Sequence, residues 1–568
     1  MPSPNSPTSR FHEQGEKTTM NEKSTLPSPE ALAQHPVVGP APELQATTVL
    51  DDASSEETKV DYNNQAAAEG LEPAFLAKVH ILNHAMKEIG MGRYQYELFF
   101  TAGFGWYADN VWLQAVSILQ PALAREFVAS PYVRHSTTAL YAGLIVGAFF
   151  FGTSCDVVGR RIAYNSTLLI GGVFGLLAGA APNFVVFCVF IALAGMGVGG
   201  NLPVDGTLFL EFLPGNKQWL LTLLSVWWAI GQVVASLVAW VFLANFSCAD
   251  PAPGTFCSRA SNMGWRYTYF TLGAHMIVLW GIRFLVFPVY ESPKFLASIG
   301  KDEEAVIVIH KIAKRNGTTS SLTLEHLKAA ARPYLLAAGE NPDKVEVKFS
   351  TMELIKHSVD DFRGKNIRNL FCTKRLAWST SLVILVWALI GLAYPLFFAF
   401  LGSYLTAKVG ATGGNLDSTY ASYTYQAVCG IPGSILAAAL VEWGRGGRKF
   451  ALSLCTLVSA IFMFGLTQAK TEAQINALTC MVSFWLNAMY GVLFGYSPEV
   501  FPTPSRGTGD ALAATANRIA GILAPIIGIY SVAAKTPDGP VFTSAAIFVV
   551  AGLVTLGFPI ETAGHAAL

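Results

Sequence analysis

The strongest constraint on this chain is an internal repeat. Near the front stands Gly152-Thr-Ser-Cys-Asp156-Val-Val-Gly159-Arg160-Arg161, and a related segment, Glu442-Trp-Gly-Arg445-Gly-Gly447-Arg448-Lys449, follows in the second half. Gly159 and Gly447 are 288 positions apart, about half the chain. Each copy is followed by Glu-x-x-Pro at the same remove: 52 positions separate Gly159 from Glu211, and 52 separate Gly447 from Glu499. Long apolar stretches surround both copies. A duplicated set of membrane helices with charges at matching ends is a common plan of solute carriers, which place the substrate site between the repeats.

Composition supports a lipid environment. Hydrophobic residues make up 52% of the chain and charged ones 13%, about half the charged share of a soluble domain. The mean hydropathy is +0.42. Formal net charge is +0, which argues against nucleic acid as a partner, because phosphate binding needs a basic face. The Cys residues show no metal-ligand spacing. Most sit in apolar runs and read as small buried hydrophobes. Cys248 and Cys257 differ: they flank a polar Asp250-Pro251-Ala-Pro253-Gly254 loop, and would be placed to pair if that loop lies outside the cytosol.

Residues 1–96 form an N-terminal tail. Up to about Gly70 it is too polar to bury a core and is expected to be disordered; no signal peptide stands at its start. Glu72 to Glu97 has the mixed spacing of a short amphipathic helix lying at the membrane surface. Twelve apolar segments of about spanning length follow: Leu98–Leu119, Thr137–Cys155, Ile162–Ala181, Phe184–Phe209, Trp219–Asn245 and Tyr267–Phe287, then Leu376–Ala407, Tyr420–Val441, Phe450–Thr467, Ile475–Tyr496, Gly509–Ala534 and Val541–Ile560. The expected fold is therefore an all-α membrane protein of twelve transmembrane helices in two pseudo-symmetric six-helix bundles, 97–288 and 376–560. A central loop, 289–375, joins them, and 561–568 form a short C-terminus.

Orientation follows from basic residues in short loops. Arg160, Arg161, Lys217, the stretch from Lys294 to Arg375, Arg445, Arg448, Lys449 and Arg506 would share one side, so that side and both termini are expected in the cytosol. Asn245-Phe246-Ser247 is then an outward glycosylation sequon beside Cys248.

The segment from Gly152 to Arg161 resembles the helix-two to helix-three motif of the major facilitator superfamily, Gly-x-x-x-Asp-x-x-Gly-Arg-Arg. Glu291-Ser292-Pro293-Lys294 looks like the signature after helix six of its sugar-porter-like members. Pro498-Glu499-Val500-Phe501-Pro502 with Arg506-Gly507 looks like their signature after helix ten. Gly197-Val-Gly199-Gly200-Asn201-Leu-Pro203 and Arg518-Ile-Ala-Gly521 are closer to the branch of synaptic-vesicle-related proteins, organic-ion carriers and niacin permeases. The long tail points to a fungal member. The resemblance covers about Leu98 to Ile560 and implies the major facilitator fold. It also implies that Asp156, Arg160, Arg161, Glu211, Glu442, Arg448, Glu499 and Arg506 form salt-bridge clusters that hold the inward gate shut. The alternative is that they only cap helices and satisfy the positive-inside rule. There are departures. Where sugar porters carry an Arg in helix four, this chain has Ile191, so their Arg–Asp partnership for proton coupling does not carry over whole. The second helix-two motif has two extra residues between Glu442 and Gly447.

A few polar residues lie inside the spans, where they are costly and by default functional. Asp109, about mid-way along helix one, is the leading candidate for proton coupling or substrate contact. Asn201 and Asp205, one turn apart on helix four, line either the cavity or a polar packing seam. Arg518 on helix eleven needs a carboxylate, carbonyls or an anionic substrate. Asp109 and Asp510 are its possible partners. A structural ion pair is the first reading of its role; the alternative is a pair with Asp109 whose protonation would free Arg518 for an anion. Gln232 and Gln426 are amides in apolar runs that need partners. Aromatic and amide groups such as Trp112, Trp227, Trp228, Tyr394, Tyr425, Trp485, Asn487 and Tyr490 are further candidates to shape a pocket.

No phosphate loop, metalloprotease motif or metal-ligand cluster appears, so neither a metal nor a cofactor is expected and an enzyme is not the reading. The reading is a secondary active transporter, monomeric, in a fungal plasma membrane. Its expected partners are the lipid bilayer, a small-molecule solute such as an organic anion, and H+. A sugar/H+ symporter, an efflux carrier for a secondary metabolite and a non-transporting nutrient receptor are the alternatives.

Overall fold

The computed structural model describes residues 72–128, 132–158, 160–214, 217, 219–248, 255–287, 289–339, 366–411, 416–443, 447–501, 506–533 and 538–562. The tail before 72 and the loop stretch 340–365 lie outside them, so the expectation of disorder there is not addressed. Among the described residues every regular element is a helix.

The first six spans are α2 (Arg93–Glu126), α3 (His135–Val158), α4 (Arg160–Gly179), the pair α5 (Phe184–Gly199) and α6 (Asn201–Glu211), the pair α7 (Trp219–Leu223) and α8 (Val226–Phe246), and α9 (Gly264–Gly281) with a π-helical turn, Ile282–Val286. The last six are α14 (Lys374–Ala411), α15 (Leu416–Glu442), α16 (Gly447–Thr467), α17 (Glu472–Val500), α18 (Arg506–Ala533) and α19 (Gly539–Leu556). Among the described residues, 10 helices are long and apolar enough to cross a membrane. The two bundle helices outside that set are α2 and α3. For α2 the reason is visible in its side chains: Asp109, Asn110, Gln114 and Gln120 interrupt the apolar run and are all buried.

Local sequence explains where spans bend. Span four breaks at Gly200, just before Pro203, which has no N–H for the turn behind it. Span six ends in the π turn, which inserts an extra residue per turn and re-aims Arg283. Small residues set the helix approach. Gly195 faces α3 so closely that a Cβ there would stand 2.6 Å from the Leu140 carbonyl oxygen.

Between the halves, α3 packs on α18 and α8 on α15. Three helices of the central loop, α10 (Pro293–Ser298), α11 (Asp302–Asn316) and α12 (Leu324–Ala337), gather at the end of the bundle where α2 begins. This end is called the loop-helix face. The opposite face carries the Cys248–Cys257 disulfide, which is tied to α2 through Cys257 N–H to Arg125 O (2.8 Å) and Arg125 Nη1 to Cys248 O (3.2 Å).

The expected amphipathic segment from Glu72 to Glu97 is split. Helix α1 (Pro73–Ile89) stops at Gly90, whose positive φ of 69° suits glycine, and Arg93 already belongs to span one. The apolar face of α1, including Leu76, Ile81, Leu82 and Met86, is buried against the loop helices and not left for lipid. Lys78 Nζ reaches Asp302 Oδ2 at 2.6 Å. Asn316 closes the hinge by accepting Tyr94 N–H (2.9 Å) and donating to Gln95 Oε1 (2.8 Å).

Candidate functional site

The two halves meet around a small cavity lined by Asn110, Gln114, Ser117, Tyr141, Gln232, Tyr394 and Phe398, among others. Its volume is about 30 Å³, enough for water and far below the roughly 300 Å³ of a small-molecule site. The space left at this point between the halves is too small for an organic solute. Gln232 Nε2 donates to Asn110 Oδ1 (3.3 Å) in its own half and to Tyr394 Oη (2.9 Å) in the other.

Asp109 lies next to Asn110 on α2, and its Oδ1 is 3.4 Å from Arg518 Nη2 on α18. Both side chains are buried. The pair joins the halves. Tyr141 stands within electrostatic range of both charges, and Tyr490 within range of Arg518. The contact is long for a charge-assisted hydrogen bond, which usually measures about 2.7–2.9 Å. Asp510 lies on the same helix as Arg518; the partner described for Arg518 is Asp109.

Aromatic rings cluster on the loop-helix side of the cavity. Phe494 of α17 inserts between Trp106 (5.1 Å between centroids), Trp228 (4.7 Å) and Trp387 (4.6 Å). Tyr490 continues the cluster, edge-to-face against Trp228 and Tyr394. On the disulfide side, Ser117 Oγ donates to Phe398 O (2.8 Å), and the buried Arg134 donates to Gly528 O. Trp228, Tyr394 and Tyr490 thus lie on the seam between halves. Trp112 instead stacks on Tyr269 inside the first half, Trp227 packs on Phe99, Phe100 and Phe104, and Tyr425 is exposed.

Asn201 and Asp205 face away from the cavity. Asp205 Oδ1 pairs with Arg283 Nη2 at 2.7 Å, with neither side chain exposed. Arg283 also donates to Tyr164 O (2.9 Å), and its guanidinium lies 3.1 Å from the centroid of that ring. Asn201 Nδ2 donates to Gly105 O at 3.4 Å. These contacts join α2, α4, α6 and the π turn, all in the first half.

The charge clusters repeat in the two halves. Arg160 pairs with Glu211, and Glu291 accepts the backbone N–H groups of Arg160 (3.0 Å) and Arg161 (3.2 Å), capping the start of α4. Arg448 pairs with Glu499 at 2.7 Å, and Glu561 accepts the N–H groups of Arg448 (2.9 Å) and Lys449 (3.3 Å). None of these described contacts runs from one half to the other. Arg161 and Glu442 are exposed. The side chains of Asp156 and Arg506 lie outside the described residues.

Three groups escape a reading of the sequence. Glu561 is the counterpart of Glu291, and its signal is present: Phe287-Pro288-Val-Tyr-Glu291-Ser292 is echoed by Phe558-Pro559-Ile-Glu561-Thr562. Arg283 stands inside the sixth predicted span, where the cost that singles out Asp109 applies equally. Glu126, beyond the apolar run at the disulfide end of α2, accepts from Arg266 (2.8 Å), Trp265 Nε1 (2.9 Å) and Asn262 (3.2 Å). Burial alone would raise its pKa, but the hydrogen bonds and charge of Arg266, with those of Trp265 and Asn262, hold it below the usual glutamate value.

The geometry, two helical halves around a buried seam with matching charged ends, has known counterparts. The family model described as "Sugar (and other) transporter" matches residues 91–566. The chain belongs to this family of the major facilitator superfamily. The "MFS siderochrome iron transporter 1" of Ceriporiopsis subvermispora is 45% identical over 501 residues, covering 88% of this chain and 93% of the relative. The "Major facilitator-type transporter hxnZ" of Emericella nidulans is 39% identical over 536 residues, covering 93% of each. Among solved structures, the proton:xylose symporter XylE matches with a TM-score of 0.60 at 18% identity, covering 84% of this chain and 98% of that one. The chain is thus a multi-pass membrane transporter of a small solute with the major facilitator fold of two six-helix halves.

Proposed function

We propose that this transporter couples the movement of a small organic anion to protons by alternating access. The observation that carries the reading is the Asp109–Arg518 contact, which joins the halves beside the small cavity. When Asp109 is ionised, the two charges neutralise each other and hold α2 against α18. A proton on Asp109 removes that attraction and leaves the Arg518 guanidinium, five donors in a planar fork, for a carboxylate. The solute anion then replaces the Asp109 carboxylate, and net charge at the site is unchanged. Binding and release at opposite faces follow as the halves rock about the seam.

The aromatic plug around Phe494 is the closure on the loop-helix side, and the Arg134 and Ser117 contacts form the closure on the other. The clusters of Arg160 with Glu211 and Arg448 with Glu499 brace each half as a rigid unit. The loop-helix face is the cytosolic one in this reading, with both termini, and the protein is a monomer of the plasma membrane. Asn245 and the disulfide then face outward. The name of the proton:xylose symporter XylE supports proton coupling in this fold, and a relative called "Niacin transporter NiaP" from Acinetobacter baylyi, 26% identical, supports a small polar solute.

The test is reconstitution in liposomes with a trapped pH dye, offering carboxylates, hexoses and organic cations in turn. A carboxylate-driven entry of protons, absent with Arg518→Gln, is expected. Proton entry driven by a hexose and indifferent to Arg518 would replace the anion reading with the sugar one. Binding of a solute without any flux would favour a receptor.

A further inference from the structure

Ten Asn and Gln side chains are buried among the described residues. Nine of them make at least one hydrogen bond, for example Gln114 to Ser236, Gln120 to Thr137, Asn487 to Ser483 and Asn517 to Trp387 O. Gln426 on α15 is the exception. It is 1% exposed, and neither its Nε2 nor its Oε1 has a hydrogen-bond partner among the described residues. A buried primary amide left without partners carries the full penalty of desolvation.

Its place on the helix is informative. Tyr423 and Gly430 flank Gln426 by about one turn on each side, so the three share a face. Tyr423 lies against Ser117, a wall of the central cavity. A Cβ at Gly430 would meet Asn487 Nδ2 at 2.6 Å and Ala229 at 3.4 Å. Ser117 and Ala229 belong to the first half, Asn487 to the second. Gln426 therefore sits on the seam where α15 meets α8, the surface that parts when the passage opens.

We propose that Gln426 is the second anchor of the solute, taking a neutral group that both donates and accepts hydrogen bonds, such as a hydroxyl or a carboxamide. The solute is then a small hydroxy or amide acid and not a plain alkyl or aryl acid. This rests on the reading that Arg518 takes the carboxylate. A site built to hydrogen-bond a polar group discriminates strongly against the analogue that lacks it, because its own amide is then left unpaired.

The experiment measures competition by matched probes, lactate against propionate and 4-hydroxybenzoate against benzoate, on the full-length protein in liposomes. Wild type is expected to prefer the hydroxylated member of at least one pair by about tenfold or more. Gln426→Leu should bring that ratio to about one while leaving the unsubstituted acid within about twofold, and Gln426→Asn should restore part of it. No preference in wild type, or the same preference in Gln426→Leu, overturns the proposal. Failure of the anion reading looks different: Arg518→Gln would then bind all four acids as wild type does. The thermal midpoint gives a readout that needs no solute. Gln426→Leu removes an unpaired amide, so the midpoint should hold or rise. A fall of several degrees would reveal a structural hydrogen bond and overturn the proposal.

Discussion

Two buried arginine–carboxylate pairs, alike in chemistry, sit in different mechanical settings. Asp205 and Arg283 are 2.7 Å apart, and Arg283 is held further by the Tyr164 carbonyl and ring. Every element involved belongs to the first half. Asp109 and Arg518 are 3.4 Å apart, belong to different halves and adjoin a cavity. An ion pair inside one packed body has nowhere to go and acts as a brace. The same pair between two bodies that rock makes a switch, because its breaking is coupled to their motion.

The largest expected effect tests the brace. Arg283→Ala leaves the Asp205 charge buried and uncompensated, at a cost of about 3–5 kcal/mol. It should appear as a collapse of the thermal midpoint in detergent. Replacing both partners, Asp205→Leu with Arg283→Met, should recover most of the loss, since apolar substitutes for a buried pair are often tolerated. Asp109→Asn, in contrast, should abolish proton movement and lower the midpoint less than Arg283→Ala does, because the Asp109–Arg518 contact is longer and adjoins a cavity that water can enter. Equal destabilisation by Arg283→Ala and Arg518→Ala would erase the distinction between brace and switch.

A second prediction concerns what closes the switch. Phe494→Ala removes the ring shared by Trp106, Trp228 and Trp387, a change that typically costs about 3–5 kcal/mol in a packed core. Here the loss falls mainly on the closed state. A cysteine placed at Ala229 should therefore react faster with a membrane-impermeant thiol reagent added from the loop-helix face. Unchanged labelling would locate the closure elsewhere.

Smaller effects belong to the rims. Glu126→Gln loses the charge facing Arg266 and should cost about 1–3 kcal/mol, read from the midpoint. Glu97 at the loop-helix end gives a matching case: burial raises its pKa, but bonds from Arg315 and Arg93 lower it further, so the net value is depressed. A depressed folded-state pKa means stability that is present above the unfolded value, near 4.5, and is lost as pH falls through the folded value. Stability at both rims should thus be flat from neutral pH down to about pH 5 and decline below it. Glu126→Gln should flatten that decline, and a steeper one would contradict the assignment. The smallest effect is expected at Lys78→Ala, whose partly exposed pair with Asp302 contributes about 0.2–1 kcal/mol to docking of α1. Limited proteolysis near Gly90 would report it.

Much of the fold is legible in the sequence because membrane helices announce themselves by length and polarity, and because the repeat fixes which spans correspond. The spans from Phe184, Trp219, Tyr267 and Ile475 reappear as helices with similar limits. What the sequence withholds is rotation about each helix axis. Asn201 and Asp205 are one turn apart whether they face solute or a neighbour, and the sequence does not show that Arg283 lies against Asp205. The docking of α1 is also hidden, since an apolar stripe such as Leu76, Ile81 and Leu82 suits a lipid surface as well as a protein one. Gly90 and Gly92 mark its end, but not what covers it. The contact between Asp109 and Arg518 spans 409 positions, and spacing along the chain carries no signal at that range.

The central claim is that the proton sits on Asp109 when Arg518 is given to the solute. The most direct measurement compares two modes of transport by Asp109→Asn in liposomes: accumulation of a labelled carboxylate driven by a pH gradient, and exchange of that carboxylate at equal concentrations with no gradient. The neutral amide introduced by this substitution mimics the protonated acid, so the account predicts that exchange persists while gradient-driven accumulation disappears. Accumulation at the wild-type level would place the coupling proton on another group and contradict the account.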